Sequence, residues 1–200
     1  MTATKDGDIE KLKRMEKEPC VDFDAQDSNG ATALMHSVRK NNLGIVVFLL
    51  EKGVNVNAKN KYGKTPLMFA VHSLKHASLL IENNANVNAQ ETFGNLNSPI
   101  TIAANFPKDK TSKVVKLLID NNADVNYKMG NGNTALLLTC RRGNKESALY
   151  LACKEGITIV DDQENYFQQS PRQLCAEKGI TVPNPNSDEC SNMYDDIVVL

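Results

Sequence analysis

The stretch that decides the fold is residues 27–58, which reads DSNGATALMHSVRKNNLGIVVFLLEKGVNVNA. It opens with a polar turn, and Thr32 then precedes apolar residues at helical spacing, which predicts a short helix capped by that threonine. An Asn-rich break follows, and a second apolar pattern containing Leu49 predicts a second helix. Gly53 lies where a helix favours a left-handed residue at its end. The stretch therefore predicts a unit of turn, helix, turn, helix and loop.

Three further stretches repeat this unit, beginning at Asn60, Glu91 and Met129. Their starting residues lie 33, 31 and 38 positions apart along the chain. Each unit alone cannot bury both of its helices, so the copies are expected to stack on one another. The shared motifs are G-x-T-A/P-L at the start, in residues 30–34, 63–67 and 132–136, and V-N-V-N-A, N-V-N-A or D-V-N at the end.

With these motifs and a period of about 33 residues, the chain resembles the ankyrin repeat family over about residues 1–179. The resemblance implies an all-α solenoid of stacked helix–turn–helix units with short β-hairpin loops. The boundaries predict an ankyrin repeat domain at 1–180, with an N-terminal cap at 1–26, full repeats at about 27–59, 60–90, 91–128 and 129–162, and a C-terminal cap at 163–180. Residues 181–200 are predicted to form a flexible acidic tail.

Each predicted first helix begins with a Ser or Thr in the N-cap position, and three have Pro next, where the missing N–H costs nothing. These caps are Thr32, Thr65, Ser98, Thr134 and Ser170, and the prolines are Pro66, Pro99 and Pro171. The histidine that the family usually has shortly afterwards is replaced by Met35, Met68, Thr101, Leu137 and Gln173. We therefore expect a looser stack, since each lost hydrogen bond contributes about 0.5–1.5 kcal/mol. The core leucines are expected to be Leu49, Leu80, Leu118 and Leu151.

The composition is that of a globular protein, with 41% hydrophobic and 24% charged residues and a net charge of −1. This gives no argument for a nucleic-acid or membrane partner, and no apolar run approaches the ~20 residues of a membrane span. The five cysteines form no C-x-x-C motif and lack the dense spacing of a disulfide scaffold. We expect Cys140, Cys153 and Cys175 to be reduced core residues of an intracellular protein, in the cytoplasm or alternatively the nucleus.

The chain shows no constellation that predicts catalysis or metal binding. His72 and His76 have the i,i+4 spacing of helical metal ligands but lack a third ligand, which favours two surface histidines. Asp22, Asp24 and Asp27 lack the glycine and glutamate of an EF-hand. Phosphate-binding, dinucleotide-binding and nucleophile-elbow motifs are absent from the sequence. We therefore expect no enzyme, no metal and no cofactor.

The resemblance implies that the loop tips and the exposed ends of the first helices form one concave groove. Exposed aromatic residues beside arginines are typical of interface anchors, although any single charged helix end can simply be solvated. The predicted partner-binding residues are Arg39, Lys40, Lys61, Tyr62, Lys64, His72, Phe93, Asn105, Phe106, Arg141, Arg142, Tyr166 and Phe167. The predicted function is a protein–protein interaction module that acts as an adaptor, scaffold or inhibitor. The alternative is an assembly chaperone or a secreted microbial effector that binds a host protein.

Charge is segregated along the chain. Residues 1–160 have a net charge of +5 and residues 161–200 a net charge of −6. We expect this chain to be a monomer that binds another protein, and an acidic protein is one option for that partner. For the last residues three hypotheses remain open: an idle tail, a ligand for another module through the apolar end at 198–200, or a segment that contacts its own or a neighbouring groove.

Overall fold

The computed structural model of the protein describes Glu10, Arg14, residues 21–107, 111–154 and 165–183, and Cys190. Most of the predicted N-terminal cap and tail lie outside these residues. The described helices are α1 (Ala33–Arg39), α2 (Leu43–Glu51), α3 (Pro66–Ala70), α4 (Leu74–Glu82), α5 (Pro99–Ala104), α6 (Ser112–Asp120), α7 (Ala135–Arg142), α8 (Lys145–Ala152) and α9 (Pro171–Glu177). The predicted all-α solenoid is confirmed. The expected β-hairpins are not seen, because the described loops contain turns and no strand.

The chain divides into two compact units, Met1–Phe93 and Gly94–Leu200. In the first unit, α1 packs against α2 and α3, and α4 packs against both α2 and α3. In the second unit, α7 packs against α5, α8 and α9, while α6 contacts both α5 and α8. Each first helix therefore contacts its own second helix and the first helix of the next pair within the unit. The repeat boundaries given above remain predictions.

Side-chain hydroxyls cap three of the five first helices, as predicted. The hydroxyls of Thr32, Thr134 and Ser170 accept hydrogen bonds from the backbone N–H three residues later, at 3.4, 3.3 and 3.2 Å. Thr65 and Ser98 occupy the same N-cap position, and the backbone N–H of Ser98 donates to a threonine side chain in the first turn at 2.9 Å. The three predicted prolines each stand in the first turn of their helix. Each of the three hydroxyl caps satisfies a backbone donor that the helix itself leaves unpaired. The predicted cap at Thr65 is wrong in this respect, because its Oγ1 atom is buried without a hydrogen-bond partner among the described residues.

The second helices contribute fully buried leucines to the core, as the first helices contribute Met35, Leu67 and Leu137. Leu49, Leu80, Leu118 and Leu151 are all 0% exposed, which confirms the predicted set. Complete burial of such a side chain contributes about 1.5–3 kcal/mol through removal of apolar surface from water. Gly53 follows α2 with φ +70°, the left-handed conformation predicted for it.

The loop that precedes each first helix is here called its tip: residues 27–31, 60–64, 91–97, 129–133 and 165–169. Within each unit, a backbone N–H of one tip donates to a backbone carbonyl of the tip before it. The four bonds run from Lys61 to Asn29 (3.0 Å), Thr92 to Tyr62 (3.1 Å), Gly130 to Asn95 (2.9 Å) and Tyr166 to Asn131 (3.5 Å). Neighbouring tips are thus docked through their main chains.

Two tip glycines make this close docking possible. Gly30 has φ +74°, and a Cβ atom there would lie 2.9 Å from the backbone nitrogen of Lys61. Gly63 has φ +77°, and a Cβ atom there would lie 2.5 Å from the backbone nitrogen of Thr92. Both the left-handed conformation and the lack of space therefore require glycine.

One histidine lies one residue after the position at which the family usually has a histidine. His36 follows Met35, and its Nε2 atom lies 2.8 Å from Oδ2 of Asp27 in its own tip. This hydrogen bond, together with one from the backbone N–H of Ala31, lowers the pKa of Asp27 to about 2. The contact anchors α1 to its own tip, and the expected looser stack remains a prediction for stability measurements.

The cysteines differ from the prediction. Cys140 on α7 is joined to Cys175 on α9, with their Cα atoms 4.5 Å apart, and Cys153 at the end of α8 is joined to Cys190, with Cα atoms 5.0 Å apart. The predicted burial of the first three is confirmed, since they are at most 4% exposed, but their predicted reduced state is wrong. The reason is that each pair is separated by 35 or 37 residues, close to one repeat, so stacking brings the two side chains together.

The described residues of the predicted tail include buried side chains, which differs from the flexible tail expected. Val182 is 7% exposed and Cys190 is 3% exposed, so at these residues the chain is packed rather than free. The disulfide to Cys153 fixes Cys190 next to α8. The three hypotheses for the tail concern its last dozen residues, which apart from Cys190 lie outside the described residues.

Candidate functional site

The most exposed large apolar side chains among the described residues are all aromatic and all lie on tips. Tyr62 and Phe93 in the first unit are 55% and 66% exposed, and Tyr166 and Phe167 in the second unit are 77% and 69% exposed. Every other large apolar side chain in the described part of the chain is at most 39% exposed. Solvated aromatic rings cost free energy unless something covers them, so these tips are candidates for an interface.

In the first unit, two of the predicted basic residues make defined contacts. Arg39 at the end of α1 is exposed, and its guanidinium carbon lies 5.7 Å from the ring centroid of Phe69 on α3, at cation–π distance. Lys64 is half-buried, and its Nζ atom lies 3.2 Å from Oε1 of Glu91, which is only 6% exposed. Lys64 therefore neutralises a buried carboxylate of the next tip, a structural role that the sequence analysis did not foresee.

The two histidines near α4 do not form a pair of surface residues. His72 is exposed as predicted, but His76 in the first turn of α4 is only 3% exposed, with its Nδ1 atom 2.8 Å from Oγ of Ser73. Its Nε2 atom is buried without a hydrogen-bond partner. Burial lowers the pKa of His76, because a charged imidazole would lose its hydration. The prediction of two surface histidines is therefore wrong for His76.

In the second unit, two consecutive arginines at the end of α7 reach in opposite directions along the stack. Arg142 donates from Nε and Nη2 to Oδ1 of Asn105, at 3.2 and 3.0 Å, and Asn105 follows α5. Arg141 donates from Nη2 to Oε1 of Gln169 at 3.2 Å and to Oδ1 of Asn133 at 3.4 Å. Side chains of three successive repeats therefore hold the two guanidinium groups in place.

Buried asparagines support this arrangement. Asn133 and Asn165 are 1% and 4% exposed, and Nδ2 of Asn165 donates to Oδ1 of Asn133 at 2.7 Å. Oδ1 of Asn165 accepts from the backbone N–H groups of Phe167 and Gln169, which closes the tip that carries the exposed rings. The burial of these two asparagines was not predicted from the sequence. For Asn165 the available signal was its first position in a tip, where an asparagine side chain can accept two later backbone N–H groups.

All of the predicted partner-binding residues except Lys64 are exposed. Within the first unit these are Arg39, Lys40, Lys61, Tyr62, His72 and Phe93, and within the second unit they are Asn105, Phe106, Arg141, Arg142, Tyr166 and Phe167. Hydrogen bonds link Asn105 to Arg142 and link Arg141 to the tip that carries Tyr166 and Phe167. Their role in partner binding remains a prediction.

The described residues contain little that could support other chemistry. They include no group of three or more His, Cys, Asp or Glu side chains that could hold a metal ion. An open cavity of about 390 Å³ lies beside α9 and is lined by Arg172, Ala176, Gly179, Ile180, Thr181 and Val182, a set without an acid–base pair that could activate the threonine hydroxyl. Among the helices described, none has the length and apolar character needed to cross a membrane.

Comparison with known families identifies this architecture. A family model described as ankyrin repeats, in three copies, matches residues 1–91 and 93–181. A chain of the solved complex of the Bd0816 predatory endopeptidase from Bdellovibrio bacteriovorus with immunity protein Bd3460 matches with a TM-score of 0.75. The sequence identity of this match is 30%, and it covers 89% of this protein and 90% of that chain.

The curated relatives are longer proteins. Alpha-latrotoxin-Lg1a of Latrodectus geometricus is 35% identical over 112 residues, which are 54% of this chain and 8% of the toxin. The putative ankyrin repeat protein FPV243 of Fowlpox virus is 49% identical over 49 residues, which are 24% of this chain and 19% of the viral protein. The chain thus spans less than a fifth of the length of either relative.

Proposed function

Because the chain belongs to the ankyrin repeat family, whose members generally mediate protein–protein interaction, we propose that it acts by binding another protein through its tips and the ends of its first helices. The observation that carries this proposal is the exposure of 55–77% at Tyr62, Phe93, Tyr166 and Phe167. Aromatic side chains and arginines are the residues most enriched among energetically dominant interface contacts. We expect the protein to act as a monomer that presents these residues to its partner.

Inhibition is the finer function that we favour over an adaptor or scaffold role. The support is the neighbour of known structure, a chain from a complex between an endopeptidase and an immunity protein, with which this chain shares fold and length. A binder that covers part of an enzyme needs only one surface, whereas a scaffold must hold two partners at once. The assembly chaperone and the secreted effector remain alternatives that also act by binding.

The two disulfides support an oxidising compartment as the place of action, rather than the cytoplasm or nucleus expected from the sequence. Disulfides persist in secreted, periplasmic and surface proteins and are rare where glutathione and thioredoxin keep thiols reduced. The partner is then expected among proteins of the same compartment.

Affinity capture tests the proposal, with the oxidised protein used as bait and mass spectrometry as the readout. The first variant combines Tyr62→Ala with Phe93→Ala, and the second combines Tyr166→Ala with Phe167→Ala. Lys75→Ala, an exposed change on a second helix, is the matched control. We expect a partner that the control retains and that at least one tip variant loses, with unchanged melting temperatures. Retention of every partner by both tip variants would move the binding surface away from the tips.

A further inference from the structure

The two arginines at the end of α7 have positive charges that their contacts do not neutralise. Arg141 is held by the side chains of Asn133 and Gln169, and Arg142 by that of Asn105, so all of these acceptors are neutral amide oxygens. Within the described part of the chain, neither arginine forms an ion pair; the ion pairs there join His36 to Asp27 and Lys64 to Glu91. Both side chains are exposed. Two full positive charges are therefore fixed at neighbouring positions without a carboxylate from the described part of the chain.

These contacts differ from those of ordinary cations at a helix end. A basic residue in the last turn commonly interacts with the carbonyls of its own helix. Here the guanidinium groups instead bond to side chains from the preceding and following repeats. Such bonds hold each planar group in one orientation, which reduces the side-chain entropy that binding would otherwise cost.

Donors remain available on both groups. A guanidinium has five N–H donors, and the bonds above use Nε and Nη2 of Arg142 and Nη2 of Arg141. Nη1 of each arginine is not engaged in these bonds. A carboxylate accepts such donors in pairs, with strength and direction that a neutral acceptor does not match.

An exposed aromatic residue lies close in sequence to an acceptor of each arginine. Phe106 follows Asn105, the residue that holds Arg142, and is 36% exposed. Phe167 lies two residues before Gln169, which holds Arg141, and is 69% exposed. Each guanidinium group is thus bonded to a segment that also carries an exposed aromatic residue. An arrangement of this kind suits a segment with acidic residues next to an apolar or aromatic residue.

From this arrangement we infer that Arg141 and Arg142 form the recognition site for an acidic segment of the partner protein, with Phe106 and Phe167 as its apolar borders. The inference rests on the proposed function and adds the chemistry of the partner. Two carboxylates of that segment replace water at the remaining guanidinium donors. Asn105 and Gln169 are assigned as positioning residues for this segment, because their amide oxygens already accept from the guanidinium groups.

Fluorescence polarisation tests the inference on the full oxidised chain. The probe is a fluorescein-labelled peptide of sequence GDEFDEG, and its matched control is GNQFNQG, which keeps the shape and removes the charges. The variants are Arg142→Gln at the site and Lys113→Gln, an exposed cation on α6 of the same unit, as the charge-matched control. We expect the acidic peptide to bind the wild type at least tenfold more tightly than the amide peptide at low salt. Arg142→Gln should remove most of that difference, and Lys113→Gln should change it by less than twofold.

The positioning role has a separate readout. Asn105→Ala keeps both charges but releases Arg142, so we expect three- to tenfold weaker binding of the acidic peptide with an unchanged dependence on salt concentration. Arg142→Gln should lower that dependence, because one charge is lost. Equal weakening by Arg142→Gln and Lys113→Gln would overturn the inference, since it would show nonspecific attraction. Binding seen only after removal of residues 191–200 would assign the surface to the end of this chain and overturn it as well.

The partner recovered by affinity capture separates this inference from the proposed function. If Arg142→Gln retains that partner while the tip variants lose it, the protein is a binding module but its acidic-segment site is not the one inferred. If no variant alters capture, the proposed function itself fails.

Discussion

Removal of the disulfide between Cys140 and Cys175 tests the correction that the structure makes to the sequence analysis. The perturbation is Cys140→Ala with Cys175→Ala, made in a background that carries Cys20→Ala so that no third thiol can exchange. Both sulfurs lie in fully buried side chains that join α7 to α9. The variant therefore removes one cross-link between two packed helices and leaves the surface unchanged.

The expected loss of stability follows from the loop that the disulfide closes. A separation of 35 residues gives about 3.8 kcal/mol at 25 °C from the loop-closure entropy of the unfolded chain. The second disulfide shortens this loop, because the chain can run from 140 to 153, cross to 190 and return to 175, a path of 28 residues. The same relation then gives about 3.6 kcal/mol, so the overlap between the two disulfides changes the expectation little.

Urea unfolding followed by circular dichroism measures the loss. The same pair of proteins is also compared in reductant, where any remaining difference reports the truncated side chains rather than the cross-link. Alkylation of the denatured wild type provides an independent count: one adduct is expected without reductant, at Cys20, and five after reduction. Five adducts before reduction, or a loss below about 1 kcal/mol in oxidised protein, would refute the reasoning.

Other changes test the core, the tips and the buried histidine. Leu118→Ala should lower the free energy of unfolding by about 2–5 kcal/mol, because the side chain is 0% exposed; a urea titration that gave less than half a kilocalorie would contradict its place in the core. Gly63→Ala should also destabilise, since a Cβ atom would lie 2.5 Å from the nitrogen of Thr92, and an unchanged melting temperature would exclude that close docking. Stability should fall as pH drops below about 6.5, because burial lowers the pKa of His76 and the unfolded chain then binds more protons. His76→Asn should reduce this dependence, and the urea midpoints at pH 7.5 and 5.5 of both proteins decide the point.

Features set by the repeat period could be predicted from the sequence. The helix caps and the four core leucines recur at fixed places in each unit, so one correctly aligned unit locates the others. Exposure of the tip aromatics followed in the same way, because a tip residue such as Tyr62 has a fixed direction once the register is known. The repeat period therefore predicts both the fold and the exposure of the tip residues.

Features that depend on contacts between repeats were harder to predict from the sequence. The paired cysteines carry no short-spacing motif, because their separations of 35 and 37 residues follow the repeat itself. Nothing in the sequence distinguishes Lys64 from a surface cation, because its contact with the buried Glu91 joins two tips. The burial of His76 does not follow from the sequence, because the helix face that it occupies depends on where α4 begins, which a shortened linker leaves open.

Neighbouring tips are joined by hydrogen bonds between their main chains, so the stacking contact does not depend on the side chains that the tips expose. The tip bonds are donated by Lys61, Thr92, Gly130 and Tyr166, which are four different residue types in the same structural role. Only proline, which lacks the N–H, is barred from these positions by the bond itself. Substitutions there can change the chemistry of the exposed surface while leaving the stacking bond intact. In evolution, point substitutions at these tip positions can therefore exchange one binding partner for another while every intermediate protein stays stably folded.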